Sequence, residues 1–215
     1  SADLVLCPSR ATLDDLVNEG FDAAAVRLVP WGVEAVEVSD EDRTRVAGAY
    51  DLPTAFVLFV GTIEPRKNLA GLASAVQGFD LPLVAAGAAG WGDSGVVGTD
   101  VRFLGFVPAS DLPALYSLAT VFAYPSLAEG FGLPVAEAMA QGTPVVTSLG
   151  SATEEVAGGA AVLVDPTDVE SIADGLRRAG DRGPELVSLG LDRAAGLTWD
   201  ATVDATVAAY REVAG

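Results

Sequence analysis

Short β-rich segments, several of them continuously apolar, alternate with segments of helical periodicity along almost the whole chain. Strands that are apolar at every position are typical of a parallel sheet that is buried on both faces. A repeated order of strand, short loop and helix builds a doubly wound sheet. The sequence therefore predicts an α/β fold with a Rossmann-like, doubly wound parallel sheet.

The alternation resolves into eight predicted strands and seven predicted helices. The strands cover residues 4–7, 26–29, 55–60, 81–85, 101–104, 120–124, 143–147 and 161–164. The helices cover residues 12–19, 68–77, 110–118, 134–141, 152–157, 169–179 and 199–214. Residues suited to capping mark several helix ends, namely Ser9 or Thr12, Ser110, Ser151 and Asp168 at N-termini and Gly142 at a C-terminus.

Polarity divides the chain into regions. Residues 39–51 are polar and lie between two apolar regions, which predicts a linker or a short exposed helix. Pro53 then begins a compact block of strands and helices. In the tail, Val203, Val207 and Tyr210 share one stripe, so an amphipathic helix is predicted there.

Composition excludes several classes of function. The 215 residues include no histidine and one cysteine, which rules out a Ser-His-Asp triad, a His-ligated zinc site and an intramolecular disulfide within the chain. The formal net charge of −18 argues against nucleic acid as a partner and against broad binding to an anionic membrane. The longest apolar run near a strand, residues 55–60, is far too short to span a bilayer. We therefore expect a cytoplasmic protein.

A first cluster of chemically active residues follows the strand predicted to end at Gly61. Arg66 and Lys67 stand at the start of the next helix, and Lys67 is the only lysine in the chain. Ligands bind at the carboxyl ends of parallel strands, and Arg and Lys hold phosphate oxygens. A solvated pair at a helix start is the alternative, but a helix N-terminus disfavours each cation by about 0.3–1 kcal/mol. The pattern therefore favours an anion site.

A second cluster follows the strand predicted over residues 120–124. Gly130 and Gly132 allow the backbone to approach a ligand closely, and their amides, with a helix N-terminus, favour a phosphate or a developing negative charge. Glu129 precedes this loop, and Glu137 lies one turn inside the helix. A carboxylate at that position suits a pair of vicinal hydroxyls, as on a ribose.

These residues resemble a known family. Glu129 and Glu137, within Pro-Ser-Leu-Ala-Glu-Gly-Phe-Gly-Leu-Pro-Val-Ala-Glu-Ala-Met-Ala-Gln-Gly-Thr-Pro-Val-Val, resemble the Glu-x7-Glu motif of retaining glycosyltransferases of family 4 (group 1). Residues 60–68 resemble that family's diphosphate-binding loop, residues 101–107 its base-contacting strand and turn, and residues 163–166 a later strand. The resemblance covers nearly the whole chain and implies the C-terminal, donor-binding domain of a GT-B fold.

The resemblance also implies roles for single residues. Arg66 and Lys67 would hold the diphosphate and stabilise the leaving group, Glu129 would lie near the transferred sugar, and Glu137 would bind the ribose. The implied catalytic residues are thus Glu129, Arg66 and Lys67. The implied donor-binding residues are Gly61, Thr62, Arg66, Lys67, Phe106, Val107, Glu129, Gly130, Phe131, Gly132, Leu133 and Glu137.

Domain boundaries and partners follow from the same resemblance. It implies the end of an N-terminal acceptor domain at residues 1–38, an interdomain linker at 39–52, the nucleotide-sugar-binding domain at 53–195 and a cross-over helix at 196–215. An N-terminal GT-B domain, in the same protein or a separate chain, would complete the enzyme, and could bring it to the inner membrane face. The family transfers with retention and without a bound metal or other cofactor. The histidine that many relatives carry in the acceptor domain has no counterpart in this chain.

The expected function is hexosyl transfer from a nucleotide-diphospho-sugar to a sugar or a lipid-linked acceptor. The segment Gly-Thr-Ile-Glu-Pro-Arg-Lys-Asn looks most like the corresponding segment of mannosyltransferases. GDP-mannose is therefore the first donor to consider, and UDP-sugars are the second. Two alternatives stay open, a nucleotide-sugar-binding module without turnover and an enzyme similar to UDP-sugar 2-epimerases.

Four other features carry weaker signals. Asp40-Glu41-Asp42 has the Asp-x-Asp form of metal-dependent transferases of another fold, but its polar surroundings argue against a metal site. Trp31 could stack on a sugar or base, whereas Trp91, among glycines in residues 88–98, is predicted to anchor a loop. Cys7 is predicted to be an inert, buried thiol.

Overall fold

The fold is organised around a six-stranded, entirely parallel sheet, as seen in a computed structural model that describes residues 2–91, 95–96 and 101–214. The six strands of this sheet are β3 Val57–Val60, β4 Leu83–Ala86, β5 Val101–Gly105, β6 Val121–Tyr124, β7 Val145–Ser148 and β8 Val162–Val164. Two further strands, β1 Val5–Cys7 and β2 Val26–Leu28, precede them and form a sheet of their own. Every residue of β3, β4, β6 and β7 is buried, as expected for strands with helices on both faces.

Nine helices accompany the strands in the described part of the chain. They are α1 Arg10–Asn18, α2 Asp40–Ala49, α3 Leu69–Ala75, α4 Leu112–Leu118, α5 Leu133–Ala140, α6 Ala152–Ala157, α7 Val169–Asp181, α8 Gly183–Ala195 and α9 Trp199–Ala214. Two 3-10 turns, Ala23–Ala25 and Pro65–Lys67, precede β2 and α3. The predicted α/β class is confirmed.

The strand order β5-β4-β3-β6-β7-β8 positions the candidate site. The chain runs outward from β3 to β5, returns to β6 beside β3, and then runs outward in the other direction. The loops after β3 and β6 therefore leave the sheet towards opposite sides, which opens a crevice between their carboxyl ends. The first sequence cluster lies in the loop after β3, and the second spans the loop after β6 and the first turns of α5.

Residues 2–31 form a separate small layer beside this sheet. β1 and β2 pair only with each other in the described structure, in parallel, with Val5 opposite Val26. The C-terminal helix α9 is attached to the same layer, because Arg27 forms an ion pair with Glu212 and Thr202 Oγ1 donates to Pro30 O at 2.8 Å.

The polar segment before the main sheet is helical. Of the two predictions for residues 39–51, a linker or a short helix, the structure shows the helix α2. It is not wholly exposed, since Val46 is fully buried. Arg45 and Tyr50 both reach the carboxylate of Asp111 at 2.9 Å, which fastens α2 to the start of α4.

Some local predictions were wrong. The helix α8 was not predicted, because Gly183 and Pro184 look like a break although Pro is favoured in a first helical turn. Ser110 does not cap α4, since Asp111 occupies that position and its carboxylate binds Arg45 and Tyr50 instead. Ser151 does occupy the predicted N-cap position of α6, although its side chain forms no capping bond.

Other local predictions are confirmed. Ser9 and Asp168 cap α1 and α7 through their side chains, and Gly142 follows α5 with a φ of 71°. Cys7 is buried, and that burial raises the pKa of its thiol.

Trp91 is not the loop anchor that was predicted, because 66% of it is exposed. Residues 92–94 and 97–100 of the same glycine-rich loop lie outside the described residues.

No helix in the described ranges is both long and apolar enough to cross a membrane.

Candidate functional site

The loop after β3 brings its two cations into different environments. Arg66 and Lys67 lie in the turn Pro65–Lys67, and not at the start of α3 as predicted, because Asn68 adopts a left-handed φ of 56° between them and the helix. Asn68 tolerates this conformation, and its Nδ2 donates to Pro125 O at 3.1 Å, which joins the loop to the one after β6. Lys67 is 7% exposed, whereas the Arg66 side chain is 42% exposed.

Both cations converge on one carboxylate. Lys67 Nζ lies 2.5 Å from Glu129 Oε1 and also donates to the hydroxyl of Tyr124. Arg66 Nη1 lies 3.2 Å from Glu129 Oε2, and its Nη2 lies 2.6 Å from Glu64 Oε1. The three residues predicted to be catalytic are therefore brought together across the crevice.

Glu129 is held from several directions. Ser126 Oγ lies 2.8 Å from Glu129 Oε1 and 2.9 Å from Arg66 O, and its single proton can be donated to either of these acceptors. Burial by itself would raise the pKa of Glu129, but the hydrogen bond and charge of Lys67, with help from Ser126 and Tyr124, outweigh it. The pKa of Glu129 therefore lies below its ordinary value, and the group is a carboxylate at neutral pH.

Tyr124 forms the floor of this cluster. It is fully buried at the end of β6, packs on Phe59 with ring centroids 5.7 Å apart, and carries Lys67 Nζ 5.0 Å from its own ring centroid. Burial and the neighbouring Glu129 raise its pKa far above the ordinary range. Its hydroxyl therefore stays protonated, so it can accept from Lys67 and still donate to Glu129.

The glycine loop leads directly into α5. Gly132 has a left-handed φ of 96° at the N-cap position, and no side chain caps the helix. In the described part of the chain the amides of Phe131, Gly132 and Leu133 have no protein acceptor. These N–H groups, at the positive end of a helix, suit an anion or a hydroxyl oxygen.

Glu137 lies away from the cation cluster. Its Oε2 accepts from Tyr116 Oη at 2.8 Å. Burial raises the pKa of Glu137, and the hydrogen bond from Tyr116 offsets only part of that effect. The carboxylate lines a cleft of about 220 Å³ together with Gly32, Val33, Glu34, Val36, Ala109, Leu112, Pro113, Tyr116, Leu133, Gln141 and Trp199.

The remaining predicted donor-binding residues lie at strand ends on the same edge of the sheet. Gly61 and Gly87 approach so closely that a Cβ on Gly87 would lie 1.9 Å from Gly61 O. Thr62 is exposed in the loop that follows. After β5, Phe106 is 75% exposed, whereas the next residue, Val107, is buried.

Sequence reasoning assigned no role to four residues that shape the site, namely Tyr124, Ser126, Asn68 and Tyr116. The first three lie within or beside the two recognised clusters, so their positions were a usable signal. Tyr116 had no such signal, because its contact with Glu137 spans 21 residues and depends on how α4 packs on α5.

The acidic segment at the start of α2 has a structural role. Asp42 and Ser39 form a capping box, and Asp40 pairs with Arg43 at 2.9 Å. No group of three or more His, Cys, Asp or Glu side chains within the described residues is arranged to hold a metal ion.

Comparison with known families decides what kind of protein carries this site. Residues 40–188 match the family model described as glycosyl transferases group 1. The chain belongs to this family. The match covers α2 through α7 and the first turns of α8, and so includes both loops of the candidate site.

Curated relatives of this group 1 glycosyltransferase chain are longer than it. It is 34% identical to O-antigen chain mannosyltransferase B of Escherichia coli, and the alignment covers 98% of the chain and 61% of that protein. It is 31% identical to D-inositol 3-phosphate glycosyltransferase of Mycolicibacterium smegmatis, with 97% of the chain and 52% of that protein covered. The chain thus spans between about half and three fifths of these two proteins.

Solved structures show the same fold for the glycosyltransferase chain. Sucrose-phosphate synthase from Thermosynechococcus elongatus superposes with a TM-score of 0.82 at 26% identity, over 99% of the chain and 59% of that structure. Anabaena HepE, solved in complex with UDP and glucose, superposes with a TM-score of 0.83 at 20% identity, over 99% of the chain and 63% of that structure. The prediction of the C-terminal, Rossmann-like domain of a GT-B fold is confirmed.

Proposed function

We propose that this chain binds the nucleotide-diphospho-sugar donor of a retaining glycosyltransferase. The observation that carries the proposal is the convergence of Lys67 and Arg66 on Glu129 at the point where the strand order reverses. Two cations at this crevice suit a diphosphate, and a carboxylate beside them suits the sugar that the diphosphate carries.

In this proposal the cations act on the leaving group. As the glycosidic bond to phosphate breaks, negative charge grows on the diphosphate, and Lys67 and Arg66 stabilise it without moving. Lys67 is the stronger contributor, because its burial limits screening by water. The amides of Phe131, Gly132 and Leu133, which have no acceptor in the described structure, add fixed dipoles that also favour negative charge on the diphosphate.

The other site residues bind the rest of the donor. Glu129 contacts a hydroxyl of the transferred sugar and supports positive charge at its anomeric carbon. Glu137 accepts hydrogen bonds from the ribose hydroxyls, and the backbone at Phe106 and Val107 contacts the base. No resident metal or other cofactor is needed for these steps.

The proposed donor is GDP-mannose and the proposed acceptor is a sugar or a lipid-linked sugar. The name of the E. coli relative at 34% identity, a mannosyltransferase, supports mannose. A second E. coli relative at 30% identity is also named a mannosyltransferase. Acceptor binding is assigned to an N-terminal GT-B domain, which would act with this chain in the cytoplasm.

Calorimetric titration of the chain with GDP, UDP, dTDP and ADP tests the donor site. Lys67→Ala and Glu137→Ala should each weaken binding of the preferred nucleotide by about 10- to 150-fold, since a lost charged hydrogen bond costs about 1.5–3 kcal/mol. Arg178→Ala and Glu185→Ala, which alter exposed ion pairs on α7 and α8, should leave the affinity unchanged. Equal losses of nucleotide affinity in all four variants would contradict the assignment of Lys67 and Glu137 to the donor site.

Transfer itself is tested on a longer protein that contains this chain. GDP-mannose and an acceptor should give a product with the anomeric configuration of the donor. Binding without any product would favour a module without turnover, and incorporation of solvent tritium at C2 would identify an epimerase. Failure of all four nucleotides to bind even the longer protein would overturn the proposal.

A further inference from the structure

One backbone carbonyl of the glycine loop is held by a distant part of the chain. Ser9 Oγ donates to Gly130 O at 2.7 Å, and Thr12 Oγ1 donates to the same oxygen at 2.9 Å. The two donors lie 121 and 118 residues away in sequence, in the small layer that precedes the main sheet. A carbonyl oxygen has two lone pairs, so these hydroxyls use its full capacity.

The donors are themselves fixed. Ser9 is 2% exposed and caps α1, because its Oγ accepts from Thr12 N at 3.1 Å. The next two amides of α1, from Arg10 and Ala11, donate to the carboxylate of Glu155 on α6 at 2.7 and 2.6 Å. The N-terminus of α1 is therefore docked on the main domain by four hydrogen bonds.

Holding the Gly130 carbonyl also sets the direction of the next amide. In a trans peptide the C=O and N–H bonds point in opposite directions, and no cis peptide is present in the described residues. With Gly130 O directed at α1, the N–H of Phe131 points away from α1. That N–H has no protein acceptor in the described ranges. The Phe131 side chain is buried, 5.6 Å from the Trp31 ring, so the peptide cannot turn freely.

We propose that Ser9 and Thr12 are positioning residues for the donor site. Their hydroxyls orient the peptide between Gly130 and Phe131 so that the Phe131 amide donates to an oxygen of the nucleotide-diphospho-sugar. This inference rests on the proposed function. It adds two residues outside the matched family region, and it makes the donor loop depend on the layer formed by residues 2–31.

The test is calorimetric titration of GDP and GDP-mannose into matched variants of the full chain. Thr12→Val removes one donor and leaves the Ser9 cap in place, and it should weaken binding about threefold. The Ser9→Ala/Thr12→Val double variant should weaken it about tenfold, which corresponds to one neutral hydrogen bond of about 1.4 kcal/mol. Thr12→Ser keeps the hydroxyl and should therefore bind with the affinity of the wild-type chain, unlike Thr12→Val.

Thr206→Val is the matched control. Thr206 is likewise a threonine on a helix whose hydroxyl donates to a backbone carbonyl, but its acceptor is Thr202 O of the same helix, at 2.7 Å, and not the glycine loop. It should leave the affinity unchanged, and melting temperatures of all variants show whether an affinity loss merely follows lost stability.

The outcomes separate this inference from the proposed function. If Lys67→Ala weakens binding and the Ser9→Ala/Thr12→Val variant does not, the positioning role is wrong and the donor site stands. A loss that is also seen in Thr206→Val, or that Thr12→Ser does not restore, likewise overturns it. If the wild-type chain binds GDP and Lys67→Ala binds it with the same affinity, both proposals fail.

Discussion

At the scale of single residues, Glu129 competes with the ligand that its neighbours are proposed to bind. Its carboxylate pairs with Lys67 and Arg66, so a diphosphate on those cations lies next to a negative charge of the protein. Glu129→Gln should therefore bind GDP more tightly while transfer by the longer protein is lost. Removing about 1 kcal/mol of repulsion corresponds to a roughly fivefold gain in affinity, which titration can measure.

The control for this prediction is Glu185→Gln, which removes an exposed carboxylate on α8. Weaker GDP binding by Glu129→Gln would contradict it, because Glu129 would then matter more for holding the cations in place than for repelling phosphate.

Glu137 is predicted to lower the stability of the fold at neutral pH. Burial raises its pKa, so the folded state holds the proton more tightly than the unfolded state does, and stability falls as pH rises through that window. Glu137→Gln should therefore melt at a higher temperature than wild type at pH 7. The difference should vanish at about pH 4 and below, where the unfolded chain is also protonated.

Glu185→Gln provides a contrast of opposite sign. The pKa of Glu185 is lowered by Arg182, so its charge stabilises the fold above its ordinary pKa and its loss should lower the melting temperature at pH 7. If Glu137→Gln melted at the same temperature as wild type at pH 7, or at a lower one, the prediction that Glu137 lowers stability would be contradicted. A buried carboxylate that costs stability fits a residue retained for binding.

The cations of the site were predictable, but their environment was not. Lys67 stands out in sequence as the only lysine, placed just after a buried strand. Its burial is set by Tyr124 and Glu129, 57 and 62 residues away, and sequence gives no distance for such contacts. The same limit hid Ser9 and Thr12 as partners of Gly130.

At the scale of elements, the two glycines of the loop before α5 have different reasons to be glycine. A Cβ on Gly132 would lie 2.5 Å from Thr153 Cγ2, and its φ of 96° is strained for any other residue. Gly132→Ala should therefore destabilise the fold by about 2 kcal/mol or more, a loss of roughly 4–8 °C in melting temperature.

Gly130 faces no such constraint from the protein. Its backbone is not left-handed, and a Cβ there would only touch Thr12 Oγ1 at 3.8 Å. Gly130→Ala should leave the melting temperature nearly unchanged yet weaken GDP-mannose binding, because the proposed site brings the donor against this loop and the added methyl group would crowd it. Unchanged affinity would mean that the donor does not approach this residue.

The sequence predicted strands better than helix ends. All eight strands were predicted, several of them from continuous apolar runs, because burial on both faces leaves little room for polar residues. Helix starts depend on single side chains that can bond elsewhere, as Asp111 does with Arg45 and Tyr50. The helix α8 was missed because the glycine and proline that begin it are also the residues that end helices.

At the scale of the whole molecule, one apolar surface has no cover within the described structure. β1 and β2 form a two-stranded parallel sheet with Leu6 and Leu28 partly exposed, and Tyr210 on the adjacent α9 is 69% exposed. Parallel strands are normally buried on both faces. Since the E. coli relative is longer than the region matched, this surface supports the proposal that an N-terminal domain packs there.

The net charge of −18 makes stability depend on salt in a definite direction. Thirty acidic residues face 12 basic ones, so most carboxylates have no cation to pair with and repel one another. Salt screens this repulsion, and it also weakens the ion pairs, but exposed pairs contribute only about 0.2–1 kcal/mol each. Because repulsion involves more groups, adding salt should stabilise the fold.

Raising NaCl from about 20 mM to 500 mM, which shortens the screening length from roughly 20 Å to 4 Å, should raise the melting temperature. A relief of about 1 kcal/mol corresponds to about 2–4 °C for a chain of this size. KCl should have the same effect at equal ionic strength, because screening does not depend on which monovalent cation is present. A gain specific to one cation would indicate bound ions, and a fall in melting temperature would mean that the ion pairs, among them the Lys67–Glu129 pair, dominate the electrostatics of the fold.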